Sequence, residues 1–364
     1  MLVTSIPTPS IWSRLADVAR LVATPLEPSH YLELVNPLWS SREIHARVEA
    51  VRDEAEGVRT LVLRPGRGWR PHRAGQHVSV SLSLHGRRAT RVFSIASSPD
   101  RTDGCVEITI KAAQGGRVTP TLVRDVLPGT HLILGEPKGD FVLPEIVPDK
   151  LLFITAGSGI TPVMSMVRAM ALRGPLPDLV HIHYAPSAEE VIFRDELAEL
   201  ASLHARYALN VVETRDDRAR PGVATTLSAG SLEQLCPDWR EREAWACGPR
   251  AMLDTIETIA PRTRMERYQA KLSASVPTGA GGKVRFAKSG VESRADGRTA
   301  LLVVAENAGV AAPHGCRMGI CHSCDVTLVS GCVRDLRTGN DITECGARVQ
   351  VCVSAAAGDV ELDL

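Results

Sequence analysis

The chain has 364 residues, of which 44% are hydrophobic and 23% are charged, and its 42 basic and 42 acidic side chains leave no net charge. This length and composition predict two or three domains of an ordinary globular protein, and the charge balance argues against a nucleic acid as partner. No apolar run approaches the roughly 18 residues needed to span a membrane, and residues 1–9 lack the features of a secretory signal, so we expect a cytoplasmic protein whose nine cysteines are reduced.

Residues 1–40 are expected to form an extension ahead of the first domain. Its apolar residues recur at the spacing of one helix face: Ile11, Trp12, Leu15, Val18, Ala19 and Val22. The simplest interpretation is a helix that packs on the protein's own surface. The alternative is an amphipathic contact with a partner or a membrane, so a position peripheral to a membrane stays open.

Three segments with different patterns follow. Residues 41–145 contain short strand-like runs separated by Gly, Pro and Asp, which predicts an antiparallel barrel or sandwich. In residues 146–265 apolar strands alternate with helical patterns, which predicts βαβ units and a parallel sheet. Residues 268–364 are expected to form a third domain, after a linker close to Met265.

The third domain carries the most specific motif of the chain. Cys316, Cys321 and Cys324 have the spacing C-x4-C-x2-C, and Cys352 follows at a distance. This is the ligand spacing of plant-type ferredoxins, in which four thiolates hold a [2Fe–2S] cluster. Zinc is the alternative, but zinc knuckles favour two C-x-x-C hooks and this motif contains one.

A glycine-rich turn lies between the first predicted strand and helix of the second domain. There Gly157 and Gly159 would let the backbone approach a pyrophosphate at the helix N-terminus. The motif is incomplete as a dinucleotide fingerprint, since Pro162 replaces the third glycine of G-x-G-x-x-G. A turn without a ligand is therefore the alternative.

The predicted barrel carries two further motifs. Arg91, Phe93 and Ser94 on one strand offer an anion clamp, a stacking surface and a hydrogen-bond donor. Alternation places the first two on one face and the serine on the other, unless the strand twists or ends there. The loop at residues 115–119 leads into a helix and is a second candidate phosphate site.

In this order and spacing, the motifs resemble those of the ferredoxin–NADP reductase superfamily. Its flavin barrel carries R-x-[YF]-S and G-x-V-[ST], and its nucleotide domain carries G-x-G-x-x-P and a later C-G-P, here residues 247–249. The resemblance covers the chain from about residue 41. It implies a multidomain α+β fold with an antiparallel β-barrel flavin domain, a Rossmann-like α/β nicotinamide domain and a β-grasp [2Fe–2S] ferredoxin domain.

The resemblance also implies roles for the barrel residues. Arg91 would bind the flavin pyrophosphate, Phe93 would stack on the isoalloxazine ring, and Ser94 would hydrogen-bond the flavin N5 atom. The second loop would hold the pyrophosphate through Gly116, Val118 and Thr119. FAD rather than FMN as the flavin depends on this resemblance.

In the second domain, the residues implied to seat the dinucleotide phosphates are Gly157, Gly159, Thr161 and Pro162. Cys247, followed by Gly248 and Pro249, would lie near the nicotinamide C4 atom, so Ser94 and Cys247 are the predicted catalytic residues. The aromatic residue that covers the flavin at the C-terminus of stand-alone reductases is expected to be absent, because this chain continues into the ferredoxin.

The coenzyme is predicted from the end of the third strand of this domain. Thr214 and Arg215 stand close to where NADP-dependent relatives place a Ser-Arg pair, and the guanidinium fork suits a 2′-phosphate. Glu213 adjoins them, and an acidic residue on the ribose diol favours NAD. We therefore expect NADPH, with NADH as the alternative. Ser187 and Arg194 are further candidates for this pocket.

Several residues of the third domain fall outside the ligand pattern. Cys332 and Cys345 are expected to be buried small side chains. His322 is expected to face solvent, since a Rieske-type cluster needs two histidines. The domain has balanced charges, with an acidic end at residues 359–363, so electrostatic steering to a partner is expected to be modest.

Together these features predict a reductase that passes electrons from NADPH through FAD and a [2Fe–2S] cluster to an acceptor. Residues 31–39 resemble the actinobacterial reductases that serve acyl-CoA desaturases and related oxygenases. An oxygenase or desaturase, whether membrane-bound or not, is therefore the expected partner, with an acyl-CoA desaturase favoured. The alternatives are a reductase for a ring-hydroxylating or haem monooxygenase, a redox sensor, and a zinc-binding interaction module.

Overall fold

The first described elements lie beside the barrel. Helix α1 (Pro28–Val35) and a 3-10 turn at Pro37–Trp39 are followed by the first barrel strand, which the turn contacts. The helix predicted from residues 11–22 lies outside the described part of the chain. No helix within that part is long and apolar enough to span a membrane. The computed structural model describes residues 28–84, 86–116, 118–215, 225–268, 281–315, 317–319 and 322–364.

The first domain is an antiparallel sheet closed into a barrel, as predicted. Its strands are β1 (Ile44–Ala55), β2 (Val58–Pro65), β3 (His77–Leu84), β4 (Arg87–Ser94), β5 (Val106–Lys111) and β6 (His131–Leu134), with helix α2 (Val118–Arg124) between the last two. They pair in the order β4-β3-β6-β1-β2-β5, and a bridge between Ile95 and Ile108 joins the two edges. Alternate side chains such as Leu61, Leu63 and Val80 fill the interior.

The second domain is a parallel sheet covered on both faces. Its elements are β7 (Lys150–Ala156), α3 (Ile160–Arg173), β8 (Asp178–Ala185), α4 (Arg194–Leu203), β9 (Tyr207–Glu213), α5 (Ala229–Leu235), β10 (Glu243–Cys247), α6 (Arg250–Ile259) and β11 (Arg264–Glu266). The strand order is β11-β10-β7-β8-β9, with α3 and α4 on the face toward the barrel and α5 and α6 on the other. The predicted parallel sheet is confirmed, but Met265, near the expected linker, lies in edge strand β11.

Within the described residues, the third domain is a mixed sheet packed against one helix. Its elements are β12 (Gly282–Phe286), β13 (Val291–Ala295), α7 (Leu301–Asn307), β14 (Asp325–Asp335), β15 (Asp341–Ile342), β16 (Arg348–Gln350) and β17 (Ser354–Leu362). Strands β12 and β17 pair in parallel, and the other pairings are antiparallel. Helix α7 buries Leu301, Leu302 and Ala305 against the sheet. This is the β-grasp arrangement that the resemblance implies.

The acidic end at residues 359–363 is balanced by basic residues of the same domain. Lys288 Nζ lies 2.8 Å from Asp363 Oδ2. Arg285 Nε lies 3.6 Å from Glu361 Oε1. The parallel pairing of β12 with β17 places these distant segments side by side. Two of the three carboxylates are thus paired with basic side chains, while Asp359 accepts a hydrogen bond from the backbone amide of Lys283 at 2.8 Å.

The expectations for single residues of this domain have different outcomes. Cys345 is exposed rather than buried, and its thiol donates to the carbonyl of Val329 at 2.8 Å. Cys332 is half-buried. His322 faces solvent as predicted, because its side chain is 63% exposed and its ring lies 3.2 Å from Asp325.

The barrel and the second domain are joined through the buried carboxylate of Glu107 on β5. Arg52 donates to both of its oxygens, at 2.9 and 3.0 Å. Arg101 adds a bond of 2.5 Å, and Arg168 of α3 adds one of 3.0 Å across the domain boundary. Burial by itself would raise the pKa of Glu107, but the three guanidinium groups hold that pKa at about 2. The carboxylate therefore stays charged and links the two domains through Arg168.

Two buried histidines share one threonine inside the parallel sheet. Thr155 Oγ1 lies 2.8 Å from both His181 Nε2 and His183 Nδ1, and His181 Nδ1 lies 2.8 Å from the hydroxyl of Tyr207. Within the described residues, His183 Nε2 has no partner. Burial lowers the pKa of His183 to about 4 and holds that of His181 well below its usual range. Both rings are therefore neutral at physiological pH.

This burial predicts that the second domain loses stability in mild acid. Between the usual histidine pKa of 6.5 and about 4, the unfolded chain binds a proton that folded His183 does not. Stability should therefore fall as the pH drops through this window, by up to about 3 kcal/mol for this residue. Urea unfolding measures the free energy of unfolding at about pH 7.5 and at about pH 5. The difference between these two values should be smaller for His183→Leu than for the wild type. Replacement of the exposed His131 by leucine is the control. The prediction is contradicted if His183→Leu shows the same pH-dependent difference in unfolding free energy as the wild type.

Candidate active site between the domains

The flavin motif predicted in the barrel lies at the end of β4. Phe93 packs against the edge of the barrel core. Arg91 donates to the carbonyl of Thr90 at 2.8 Å and to that of Gly315 in the third domain at 3.1 Å. A guanidinium, a flat ring and the buried hydroxyl of Ser94 on one strand suit the phosphate, the ring and a nitrogen atom of a flavin. The donor set therefore fits the predicted cofactor.

The hydroxyl of Ser94 begins a chain of polar groups that sequence reasoning missed. Its Oγ lies 3.0 Å from the hydroxyl of Tyr268 and 3.3 Å from Glu266 Oε2. The other oxygen of Glu266 lies 3.3 Å from His77 Nδ1, at the start of β3. Glu266 reaches this place because β11 pairs in register with β10, opposite Cys247.

Tyr268 occupies the space between the barrel and the glycine-rich turn. Its hydroxyl lies 3.0 Å from both Ser94 and Thr161 Oγ1, and 3.3 Å from the carbonyl of Ser158. Burial raises the pKa of Tyr268 well above its usual range, so the phenol is neutral. The expectation that an aromatic residue is absent here was wrong. The signal for it is the βαβ order, which calls for another strand after the helix at residues 250–259.

Cys247 ends β10 and is fully buried. Burial, with the charge of Glu266 as a second cause, raises the pKa of this thiol well above its usual range. The group is therefore a neutral thiol rather than a nucleophilic thiolate. Its carbonyl lies so close to Gly159 that a Cβ at that position would collide with it. This close approach explains the second glycine of the turn and brings Cys247 to the predicted nucleotide site.

A cleft of about 430 Å³ opens at the carboxyl edge of the parallel sheet. The predicted residues Gly157, Gly159, Gly248 and Pro249 line it together with Tyr268. Gly157 has a φ of 51°, and the turn that it starts leads directly into α3. The N-terminus of a helix with a glycine backbone beside it suits the phosphates of a dinucleotide.

The remaining predicted residues of this motif lie in the first turn of α3. Thr161 and Pro162 are buried there, and Thr161 donates to the carbonyl of Ser158 at 2.9 Å. Sequence reasoning missed three basic residues that line the cleft: Lys111, Arg250 and Arg267. They come from the barrel, from α6 and from the segment after β11, so no linear motif connects them. Each of these cations also lies within 4 Å of a carboxylate oxygen.

The second barrel loop forms a closed turn at the start of α2. Thr119 Oγ1 accepts a hydrogen bond from the amide of Ala113 at 2.9 Å. The amide of Gly116 donates to the carbonyl of Ala113 at 3.0 Å. Val118 is buried under this turn, which lies beside β4. The structure thus brings the two predicted flavin motifs to the same side of the barrel.

The predicted 2′-phosphate pair follows β9. The backbone of Thr214 is tied to the end of β8 by a hydrogen bond of 2.8 Å. Arg215 Nη1 lies 3.0 Å from Glu190 Oε1, an acidic partner that sequence reasoning did not anticipate. Of the two further candidates, Arg194 lines a different cleft, and Ser187 precedes the 3-10 turn that carries Glu190.

Two of the four predicted cluster ligands meet in the core of the third domain. The buried Sγ atoms of Cys324 and Cys352 lie 3.1 Å apart, while Cys316 and Cys321 lie outside the described residues. Thiols brought together in this way suit an iron–sulfur cluster and zinc alike. Among the described residues of the loop before Cys324, Arg317, Gly319 and His322 have left-handed backbone conformations.

Comparison with known families distinguishes an iron–sulfur cluster from zinc at this site. The chain matches a model of the oxidoreductase FAD-binding domain over residues 71–143 and one of the oxidoreductase NAD-binding domain over residues 153–258. It matches a model of the 2Fe-2S iron-sulfur cluster binding domain over residues 285–357. The flavin and nucleotide sites and the paired thiols described above fall in these ranges in the same order.

Individual proteins resemble the whole chain. An NADPH oxidoreductase of Mycobacterium tuberculosis is 45% identical over 362 residues, which cover 97% of this chain and 93% of that protein. A glycine betaine monooxygenase reductase subunit of Pseudomonas aeruginosa is 29% identical over 79% of this chain and 86% of that protein. The structure of phthalate dioxygenase reductase has the same fold, with a TM-score of 0.61, 22% identity, and coverage of 89% of this chain and 98% of that one. The chain therefore belongs to the ferredoxin–NADP reductase superfamily, as an NAD(P)H-dependent oxidoreductase with FAD-binding, NAD-binding and C-terminal [2Fe–2S] domains.

Proposed function

We propose that the protein is an NADPH-dependent reductase that delivers electrons singly to a separate oxygenase or desaturase, with an acyl-CoA desaturase as the favoured acceptor. The observation that carries the proposal is the position of β4. Through Ser94 this strand contacts Tyr268 at the nucleotide cleft, and through Arg91 it contacts the loop of the cluster ligands. One strand thus lies between the site for a hydride donor and the site for a one-electron carrier.

The residues of the site would position this chemistry and protect it. Bound at these sites, FAD and a [2Fe–2S] cluster supply the conversion of a hydride's electron pair into single electrons. Ser94 would donate a hydrogen bond at the flavin edge, and the carboxylate of Glu266 lies beside it, with Oε2 3.3 Å from the serine Oγ. The neutral thiol of Cys247 and the ring of Tyr268 would exclude water from the inner end of the cleft.

Different observations support the assignment of the coenzyme and that of the acceptor. NADPH is favoured by the position of Arg215 and by the name of the relative from M. tuberculosis, an NADPH oxidoreductase. An oxygenase as acceptor is favoured by the name of the relative from P. aeruginosa, a monooxygenase reductase subunit. The acyl-CoA desaturase rests on the resemblance of residues 31–39 to reductases that serve such enzymes.

Anaerobic visible spectroscopy of the purified protein tests the proposed relay. Titration with NADPH should bleach both the flavin bands and the broad cluster absorption, at lower concentrations than NADH requires. Bleaching by NADH at the lower concentration would reverse the coenzyme assignment. A colourless protein that contains zinc would contradict electron transfer altogether.

A reconstituted assay tests the acceptor. Membranes that contain an acyl-CoA desaturase should form double bonds in a fatty acyl-CoA with NADPH only when the reductase is added. Faster electron delivery to a soluble haem or ring-hydroxylating monooxygenase would favour that alternative. Reduction by NADPH without turnover on any acceptor, artificial ones included, would favour a redox sensor.

A further inference from the structure

Three charged residues from separate elements meet beside the nucleotide cleft. Glu190 lies in the 3-10 turn that follows β8, and its Oε1 is 3.0 Å from Arg215 Nη1. Its other oxygen is 3.6 Å from the Nζ of Lys111, the last residue of β5 in the barrel. Lys111 also lines the cleft that contains Gly157 and Gly159. One carboxylate therefore bridges two cations from different domains next to the predicted coenzyme site.

The backbone holds this arrangement in place. The amides of Thr214 and Arg215 donate to the carbonyls of Ala185 and Pro186 at 2.8 and 3.0 Å. The segment after β9 is thus fixed alongside the segment after β8, at the edge where parallel strands place their ligands. The amide of Glu190 closes its own turn with a bond of 3.1 Å. The carboxylate and the guanidinium are neighbours because of the sheet, although 25 positions separate them in sequence.

We propose that Glu190 is a specificity-determining residue that competes with the coenzyme's 2′-phosphate for Arg215 and Lys111. The inference rests on the proposed function, in which Arg215 receives that phosphate. Glu190 limits the preference for NADPH over NADH, because NADH carries no group that needs the two cations at this position.

The competition follows from charge and exposure. Arg215 is 74% exposed and Glu190 is 32% exposed, so their ion pair is weak and an incoming phosphate can displace it. With the carboxylate present, the three side chains carry one net positive charge. Without it they carry two, and the repulsion between carboxylate and phosphate is also removed. Such surface effects shrink as salt screens them.

The Glu190→Gln variant of the full-length holoprotein tests this inference, because glutamine keeps the size of the side chain and removes the charge. Adenosine 2′,5′-bisphosphate and 5′-AMP serve as probes that differ in the 2′-phosphate, and calorimetry measures their binding. We expect the bisphosphate to bind about five- to tenfold more tightly at low salt, with a smaller gain at high salt. Binding of 5′-AMP should change less than about twofold. The KM for NADPH should fall in parallel, while that for NADH stays unchanged.

Glu189→Gln is the matched control, since the same charge is removed from an exposed neighbour whose electrostatic contacts are Ser187 and Arg194. It should shift bisphosphate binding less than about twofold. Unchanged or weaker bisphosphate binding in Glu190→Gln would overturn the inference, as would an equal gain for 5′-AMP. Failure of the proposed function has a different signature, since neither NADPH nor NADH would then reduce the wild-type protein.

Discussion

Replacement of Cys352 by serine is expected to abolish the cluster absorption and with it the delivery of electrons to cytochrome c. Cys324 and Cys352 meet at 3.1 Å in the core of the third domain, and a [2Fe–2S] cluster needs four thiolates. Loss of residues that merely support a ligand lowers metal affinity 10- to 100-fold, so loss of a ligand should lower cytochrome c reduction by at least about 100-fold. Steady-state assays together with iron and sulfide content measure both effects.

The matched control is Cys345→Ser, in the same domain. Cys345 is exposed and contacts a backbone carbonyl rather than another thiol, so this variant should keep full cluster content and activity. In Cys352→Ser, NADPH-dependent reduction of ferricyanide should persist, because ferricyanide can take electrons at the flavin site. Undiminished cytochrome c reduction by a Cys352→Ser protein without iron would show that the acceptor bypasses the cluster.

Replacement of Tyr268 by serine is expected to tighten the binding of NADP⁺ and NAD⁺ and to slow turnover. The ring of Tyr268 lines the nucleotide cleft, and its hydroxyl contacts Ser94, Thr161 and Ser158. A nicotinamide ring that reaches Ser94 must displace these contacts. Each hydrogen bond contributes about 1 kcal/mol, so together they should lower the affinity for the nucleotide by about tenfold or more. In Tyr268→Ser the ring no longer opposes nucleotide binding, so the oxidised nucleotide should dissociate more slowly.

Tyr268→Phe separates the ring from the hydroxyl. Phenylalanine keeps the obstruction and loses the hydrogen bonds, so its affinity for NADP⁺ should fall between those of the wild type and Tyr268→Ser. Difference spectra of the flavin on addition of NADP⁺ measure the dissociation constants, and stopped-flow records measure product release. Weaker binding of NADP⁺ in Tyr268→Ser would mean that the ring supports the nicotinamide instead of occupying its place.

The domain architecture was predictable because local sequence patterns indicate each domain. Short strands in the barrel and the alternation of apolar strands with helices in the second domain each predict their sheet, and the cysteine spacing predicts the ferredoxin domain. Strand β4 shows where such reasoning reaches its limit. The sequence identifies Arg91, Phe93 and Ser94, whereas the contact of Arg91 with Gly315 depends on how the third domain lies against the barrel.

Sequence reasoning missed Glu266 and Glu190 for a different reason. Strand β11 is only Arg264–Glu266 and lacks an apolar run, so its pairing with β10, and hence the position of Glu266, left no periodic signal. Glu190 meets Arg215 through the parallel pairing of β8 with β9, and Glu361 of β17 meets Arg285 of β12 in the same way. Such contacts are set by sheet register between distant segments, which a single sequence does not display.

The arginine cluster around Glu107 has a consequence for how the coenzyme enters. Arg168 ties α3 of the second domain to Glu107 and to the carbonyl of Ala96 in the barrel, at 3.0 and 2.9 Å. A hinge motion between these domains would break both contacts of Arg168, while Arg52 and Arg101 of the barrel would stay paired with Glu107. Access to Ser94 without such a motion would require movement of the Tyr268 side chain, whose hydroxyl lies 3.0 Å from Ser94 Oγ.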